Sequence, residues 1–308
     1  MPSGFLPLRR CSYALACGLT LLLSACQPNS AKPHAPLADP PRRTTFATRP
    51  VDAVYLLRDR LLARDGAGFA QLAVPPALHA ELEQAWRNGH SRWPLDELPL
   101  DARIPRMLAA LQVPNADKVL LATFRNQFAG ADADIDQAIR TLLVFGGEYV
   151  QTDPDSSPAE REHTRQAMAA VGAWALQAPL ADPKRAQRFF PIVAAAAVRS
   201  GINGKLGDAA FTQLGMTQSL NRLSPFLATL LAQLRQQYGL DIDAALRSLH
   251  VSLAQQTGDQ AQLRLRYTLA GHRIDALLPA TRIDGYWYLT DYVARAERSL
   301  PASQLNVR

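Results

Sequence analysis

Carboxylates are the only side chains in this sequence whose catalytic use is left open by their context. Asp96, Glu97 and Glu148 would support acid–base hydrolysis if the fold held two of them about 5–10 Å apart. The common serine hydrolases are not indicated, because the chain contains neither Gly-x-Ser-x-Gly nor Ser-x-x-Lys. No carboxylate stands in a motif that singles it out. We therefore expect no catalytic residue, with a carboxylate hydrolase as the alternative.

Three other acidic residues have the spacing that opens a calcium-binding loop. Asp132, Asp134 and Asp136 match the first three ligand positions of such a loop. The loop also requires a glycine and a glutamate at the positions that Gln137 and Leu143 occupy. We therefore expect no metal site here. The acids are instead expected to cap the helix that follows and to favour its positive N-terminal end.

Two further segments resemble known sites only in part. Residues 201–207 are as rich in glycine as a phosphate loop, but the spacing differs and Leu206 replaces the hydroxyl that would bind magnesium. This pattern predicts a turn between helices.

His163 follows Glu162 on a predicted helix, but no second histidine lies one helical step away, so a zinc motif is not indicated and we expect His163 on the surface. The histidines, at positions 34, 79, 90, 163, 250 and 272, form no pair with ligand spacing, and no cofactor or metal is expected.

A cluster of aromatic residues near the C-terminus is the main candidate for ligand contact. Tyr286, Trp287 and Tyr288 are suited to stack on a sugar ring or an apolar ligand, or to pack in the core. Arg264 and Arg266 alternate with leucines on a predicted strand. Their shared face is either solvated or an anion-binding groove, and the sequence leaves both alternatives open.

The N-terminal segment has the parts of a secretory signal. Arg9 and Arg10 supply a basic start, and an apolar run follows over residues 11–25. This run is shorter than the roughly 20 apolar residues that a membrane-spanning helix requires. Its positive charge precedes the apolar part, as in signal peptides. We therefore expect residues 1–25 to be a signal peptide that is removed.

The residues Leu-Ser-Ala-Cys at positions 23–26 resemble the lipobox of bacterial lipoproteins. The resemblance implies cleavage before Cys26 and attachment of lipid to its sulfur, which would hold the mature chain on a membrane of the cell envelope. Gln27 stands where an aspartate would resemble an inner-membrane retention signal, so the outer membrane, facing the periplasm, is favoured. Because Cys11 and Cys17 leave with the signal, the mature chain keeps no free thiol and forms no internal disulfide.

The net charge of the mature chain is too small to indicate a nucleic-acid partner. Removal of the signal takes away two arginines and no acidic residue, which lowers the formal net charge from +6 to +4. This is a small basic excess for a mature chain of 283 residues, and an envelope location also argues against nucleic acid. We expect the partners to be the membrane, through Cys26, and either another envelope protein or a small ligand.

The pattern of apolar residues predicts the order of the remaining elements. A proline-rich tether over 26–50 precedes a helical region over 51–180, and helices followed by strands occupy 181–308. Caps and helical periodicity predict helices from 51, over 76–87, 102–112, 116–128 and 135–150, and over 158–177, 183–199 and 218–238. Breaks are predicted at 66–68, and loops over 91–100 and 200–208.

After Asp243 the apolar period changes from helical to alternating. Strands are predicted over 249–255, 263–269, 272–278 and 286–292, with a hairpin at Asp284-Gly285. The fold class is therefore mainly α with a C-terminal antiparallel β-meander (α+β). A long helix followed by such a meander resembles the nuclear-transport-factor-2-like folds over about the last 100 residues. This resemblance rests on element order and implies a cone-shaped fold that small secreted modules and lipoproteins use.

Taken as a whole, the sequence favours a non-catalytic envelope lipoprotein. The expectation rests on the anchor, the tether and the absence of catalytic motifs. One alternative is an inhibitor or immunity lipoprotein that protects the cell from a wall-degrading toxin. The other alternative is a periplasmic hydrolase that uses carboxylates.

Overall fold

Helices make up most of the computed structural model, which describes residues 46–97, 103–154 and 156–301. These residues form helices followed by a four-stranded antiparallel sheet, which confirms the predicted fold class. The α-helices are α1 Pro50–Leu62, α2 Gly66–Ala73, α3 Pro76–Arg87, α4 Ile104–Leu111, α5 Ala116–Gln127, α6 Asp132–Thr152, α7 Pro158–Ala175, α8 Pro183–Arg199, α9 Asp208–Tyr238, α10 Ile242–Arg247 and α11 Thr290–Arg298. The strands are β1 His250–Thr257, β2 Gln260–Leu269, β3 His272–Ile283 and β4 Tyr286–Leu289.

Two helices begin where their capping residues predict. Ser157 caps α7 by accepting a hydrogen bond from a backbone N–H of the first turn, and Asp182 caps α8 in the same way. Pro158 and Pro183 occupy the first helical position of each, where a missing N–H costs nothing. Local signals of this kind determine where a helix starts without help from tertiary contacts.

Several predicted boundaries are wrong in ways that a local pattern does not reveal. The expected break at 66–68 is the start of α2, because Asp65 accepts a hydrogen bond from the N–H of Gly68 at 2.7 Å and caps the helix. Helix α9 begins ten residues before the predicted start and contains a kink at Gly215, whose φ of +77° suits glycine. Short 3₁₀ turns lie within both predicted loops, at Leu95–Glu97 and Gly204–Leu206.

The two ends of the folded body also differ from the prediction. The last strand, predicted to end at Tyr292, ends at Leu289, and helix α11 begins at the next residue and continues to Arg298. At the other end, Ala47 belongs to the folded body and not to the tether, because it is buried and its carbonyl accepts a hydrogen bond from the N–H of Trp287 at 2.9 Å. The ring of Phe46 contacts that of Tyr286, with 5.1 Å between centroids.

The sheet has one face against helices and one face towards solvent. Its strands follow the order β1-β2-β3-β4 and are all antiparallel. Leu263 and Leu265 on β2 are buried, whereas Arg264 and Arg266 between and after them are exposed. Helices α1, α7, α10 and α11 pack on the sheet. The buried core extends from the first described residues to the last helix, so helices from both sides of residue 180 contribute to it.

Strand β4 covers only part of the outer edge of β3, and helix α7 covers a further part of this edge. Strand β4 pairs with residues 280–283 of β3 and leaves the preceding part of the edge without a strand. The side-chain amide of Gln166 on α7 accepts a hydrogen bond from the N–H of Asp275 at 2.9 Å and donates one to its carbonyl at 3.0 Å. This amide takes the place of a neighbouring strand, since uncovered edges invite pairing with other chains.

Helix α6 stands apart from this core. Within its described residues only Val150 is buried, while Leu142, Val144 and Phe145 are more than half exposed. Asp132 and Asp134 lie in its first turn, near the positive N-terminal end, but they do not cap it as predicted, because the helix begins at Asp132 and its N-cap, Ala131, has no side-chain cap. None of the helices in the described ranges is long and apolar enough to cross a membrane.

Candidate functional site

A cavity of about 90 Å³ lies between the sheet and the helices that pack on it. A single water molecule needs roughly 10–15 Å³ of such space, so the cavity is large enough for a small organic molecule. Most of its wall is apolar and comes from α1, α2, α10 and the inner face of the sheet. The apolar lining residues are Val54, Leu57, Leu61, Phe69, Ile242, Ala245, Leu246, Leu249, Leu265, Leu269, Leu278, Pro279 and Leu289.

The apolar wall follows from the periodicity of the elements that form it. On α1, Val54, Leu57 and Leu61 recur at steps of three and four residues and therefore share one face. On β2, Leu265 and Leu269 lie an even number of residues apart, so they project from the same side of the sheet. Both faces are buried, which places the cavity inside the folded body.

An ion pair holds α10 in this wall. The guanidinium of Arg64, which follows α1, contacts the carboxylate of Asp243 at 2.9 Å, and both side chains are almost fully buried. Burial raises the pKa of Asp243, and the nearby arginine acts in the opposite direction. The pair therefore fixes a short helix that would be marginal by itself.

One part of the cavity wall is polar and is built by α7 and α11. Glu160, His163 and Thr164 occupy one face of α7, at steps of three and four residues. Asp291 and Arg295 line the cavity from α11 at a step of four. We call these five residues the polar pole. Arg58, Tyr267 and Tyr292 complete the lining.

A buried arginine joins two carboxylates at the polar pole. Arg295 forms an ion pair with Glu160 and another with Glu97, whose Oε2 lies 2.9 Å from its Nε. All three side chains are less than a tenth exposed. Burial raises the pKa of Glu97, although Arg295 favours its charged form. Because each charge has a partner, the cluster satisfies the requirement for burying ions in a core.

His163 is a buried histidine, which corrects the prediction of a surface position. Its Nε2 lies 2.8 Å from the hydroxyl of Tyr267 on β2, and the two rings meet edge to face. Burial lowers the pKa of His163 to about 4, so the imidazole is neutral at pH 7. A neutral imidazole carries both a donor and an acceptor, which suits it to hydrogen bonding inside the cavity.

Asp291 is the second carboxyl group that lines the cavity. The hydroxyl of Ser157, the cap of α7, donates a hydrogen bond to its Oδ2 at 3.2 Å. Burial raises the pKa of Asp291, and the hydrogen bond from Ser157 acts against this rise. The contact links the start of α7 to α11 and so holds the two helices of the polar pole together.

The ligand-contact residues predicted from the sequence lie outside this cavity. Trp287 and Tyr288 are buried in the core without lining the cavity, and Tyr286 is exposed beside the first described residues. Their burial agrees with the packing alternative for Trp287 and Tyr288. Arg264 and Arg266 lie on the solvent face of the sheet, where both contact the carboxylate of Asp275.

The predicted carboxylates do not come together as a group. Glu97 contacts the polar pole through its ion pair with Arg295. Asp96 does not line the cavity, and Glu148 is exposed on α6. Sequence reasoning missed Arg295 and Asp291 because their segment was predicted in part as strand. Glu160 carried a signal, as the acidic member of a capping box, but that signal did not indicate burial.

Comparison with known proteins adds no assignment to this site. No protein-family model, curated protein or solved structure matches the chain. The resemblances to bacterial lipoproteins and to the nuclear-transport-factor-2-like folds therefore stay predictions. In the three described ranges, no group of three or more histidine, cysteine, aspartate or glutamate side chains is placed to hold a metal ion.

Proposed function

We propose that this chain is a membrane-anchored envelope lipoprotein whose folded body binds a small, largely apolar ligand in the cavity between the sheet and helices α1, α7, α10 and α11. The observation that carries the proposal is the combination of an apolar wall with a few hydrogen-bonding groups at one pole. Small-molecule sites typically have this composition, since apolar contact supplies affinity and a few polar groups orient the ligand.

The polar pole indicates the kind of ligand. Arg295 is already paired with two carboxylates, so it offers little attraction to an anionic group. The imidazole of His163 is neutral at pH 7 and is hydrogen-bonded to the hydroxyl of Tyr267. These groups favour a ligand with a neutral polar group, such as a hydroxyl, at one end of an apolar body.

Filling the cavity should weaken ligand binding. Ala245 lines the cavity from α10, and leucine at this position would occupy space that a ligand needs. We expect Ala245→Leu to weaken binding of n-hexanol by about tenfold or more, equivalent to about 1.4 kcal/mol. Ligand-observed NMR on the detergent-solubilised chain measures this binding.

A neighbouring residue supplies the matched control. Ala244→Leu adds the same side chain to the exposed side of the same helix and should leave binding unchanged. Thermal unfolding of both variants checks that α10 stays folded. Equal n-hexanol binding by the two variants, or no binding by the unaltered protein, would contradict the proposed cavity function.

Anchoring is tested at Cys26, which lies outside the described residues. We expect Cys26→Ala to lose acyl labelling and to move from the membrane fraction to the soluble fraction, because each buried methylene of a lipid chain contributes about 0.8 kcal/mol. Metabolic labelling with an acyl probe, followed by fractionation, measures both effects. Cys17→Ala is the control, since that cysteine lies in the predicted signal and should leave labelling intact. Labelled Cys26→Ala protein would overturn the anchor.

A further inference from the structure

The solvent face of the sheet carries a second, polar depression of about 160 Å³ near the turn between β2 and β3. It shares only Tyr267 with the lining of the proposed ligand cavity, and its walls are mostly polar. The residues that line it are Ser248, His250, Arg266, Tyr267, Thr268, Arg273, Ile274 and Asp275. Three strands contribute to it, so its shape depends on the sheet and not on one flexible loop.

Strand register places basic side chains close together in this depression. His250 on β1 is directly opposite Arg266 on β2, and Thr268 on β2 is directly opposite Arg273 on β3. Directly opposed residues have Cβ atoms about 4.5–5.5 Å apart, and their diagonal neighbours remain within reach of long side chains. Arg266 and Arg273 are therefore near enough to contact one small ion.

Positive charge exceeds negative charge around the depression. Arg264 and Arg266 share a single carboxylate, that of Asp275, at 2.7 and 3.2 Å. The hydrogen bond from Arg264 is the largest cause that lowers the pKa of Asp275 to about 2, so this carboxylate is charged at neutral pH. Arg273 makes no ion pair or hydrogen bond through its guanidinium within the part of the chain that the structure describes.

We propose that this depression binds a phosphate monoester group between Arg266 and Arg273, with His250 as a further hydrogen-bond partner. The guanidinium of arginine presents parallel N–H groups that match the oxygens of phosphate, and such charged hydrogen bonds are about twice as strong as neutral ones. The three arginines around the depression are balanced only by the single carboxylate of Asp275, and a bound anion would neutralise the remaining positive charge. The phosphate belongs either to a soluble ester or to the headgroup of phosphatidic acid.

Calorimetric titration of the detergent-solubilised chain with inorganic phosphate tests the site. We expect saturable binding that weakens by about tenfold or more in Arg273→Gln, since a charged hydrogen-bonding partner is lost. The control is Arg140→Gln, which removes the same charge from an exposed position on α6 and should change the affinity less than twofold. Circular dichroism should show unchanged folding in both variants.

Vesicles distinguish the two sources of phosphate. With the full-length Cys26→Ala variant, which lacks the proposed lipid anchor, binding to phosphatidic acid vesicles but not to phosphatidylcholine vesicles would assign a lipid headgroup, provided that inorganic phosphate competes and that Arg273→Gln abolishes this binding. Saturable phosphate binding without vesicle binding would assign a soluble ester. Absence of saturable phosphate binding, or an equal loss in Arg273→Gln and Arg140→Gln, would overturn the site. None of these outcomes depends on the apolar cavity, so the two proposals fail separately.

Discussion

Replacement of Arg295 by methionine is expected to destabilise the protein by about 3–5 kcal/mol, because the change leaves two buried carboxylates without their shared cation. Methionine keeps most of the length of the arginine stem, so the loss reports charge more than packing. Denaturant unfolding at pH 7 measures the change in the free energy of unfolding. Arg298→Met, at an exposed position on the same helix, should have a much smaller effect.

Acid should partly rescue the Arg295→Met variant. Burial already raises the pKa of Glu97 in the folded state, and without the arginine this effect is no longer offset by a contacting cation, so the pKa rises further above its unfolded value. The folded variant then binds more protons than the unfolded chain, so its stability is lost as pH rises through the folded pKa of Glu97 and recovered as pH falls. The gap in stability between the variant and the unaltered protein should therefore narrow below pH 7. A gap that stays constant or widens would show that the carboxylates do not cause the loss.

His163 should make a large, pH-dependent contribution to stability. Its pKa is about 4 in the folded protein against 6.5 for the free side chain. Because the folded pKa is lowered, the unfolded chain takes up a proton first as pH falls. The contribution is fully present above pH 6.5 and is lost between pH 6.5 and 4. This difference corresponds to about 3 kcal/mol.

Comparison with His163→Gln isolates this contribution from other titrating groups. The pKa values of Glu97 and Asp291 are raised by burial, so both act in the opposite direction over part of the same window. Glutamine keeps a hydrogen-bonding group for Tyr267 but does not titrate. We expect the unaltered protein to lose about 3 kcal/mol more than this variant between pH 7 and 4, as measured by denaturant unfolding at each pH.

An exposed histidine provides the control for that experiment. His272→Gln, at the start of β3, should leave the pH dependence of unfolding as it is in the unaltered protein. If His163→Gln shows the same pH dependence as His272→Gln, the imidazole of His163 is not held neutral in the core.

Local patterns in the sequence were sufficient for the fold class and for most helix starts. Ser157 and Asp182 cap their helices through atoms only two or three residues away, so no distant contact is needed to predict them. The alternating apolar pattern, expected after Asp243, likewise predicted the meander, because the two faces of a strand are distinguished by their neighbours along the chain, although helix α10 continues to Arg247 before the first strand begins at His250. The ends of elements were less predictable, since the last strand was expected to run to Tyr292 but helix α11 begins at Thr290.

Only the tertiary structure decided which residues form the cavity and its polar pole. Glu97, Glu160 and Arg295 lie on three separate elements, and nothing in their local sequence shows that one guanidinium will join both carboxylates. The environment of His163 depends in the same way on Tyr267, more than a hundred residues away. Solvent exclusion, which sets the protonation of these groups, results from the packing of distant elements. The sequence by itself determined the elements and their inner faces, while the chemistry of the site arose from how those faces meet.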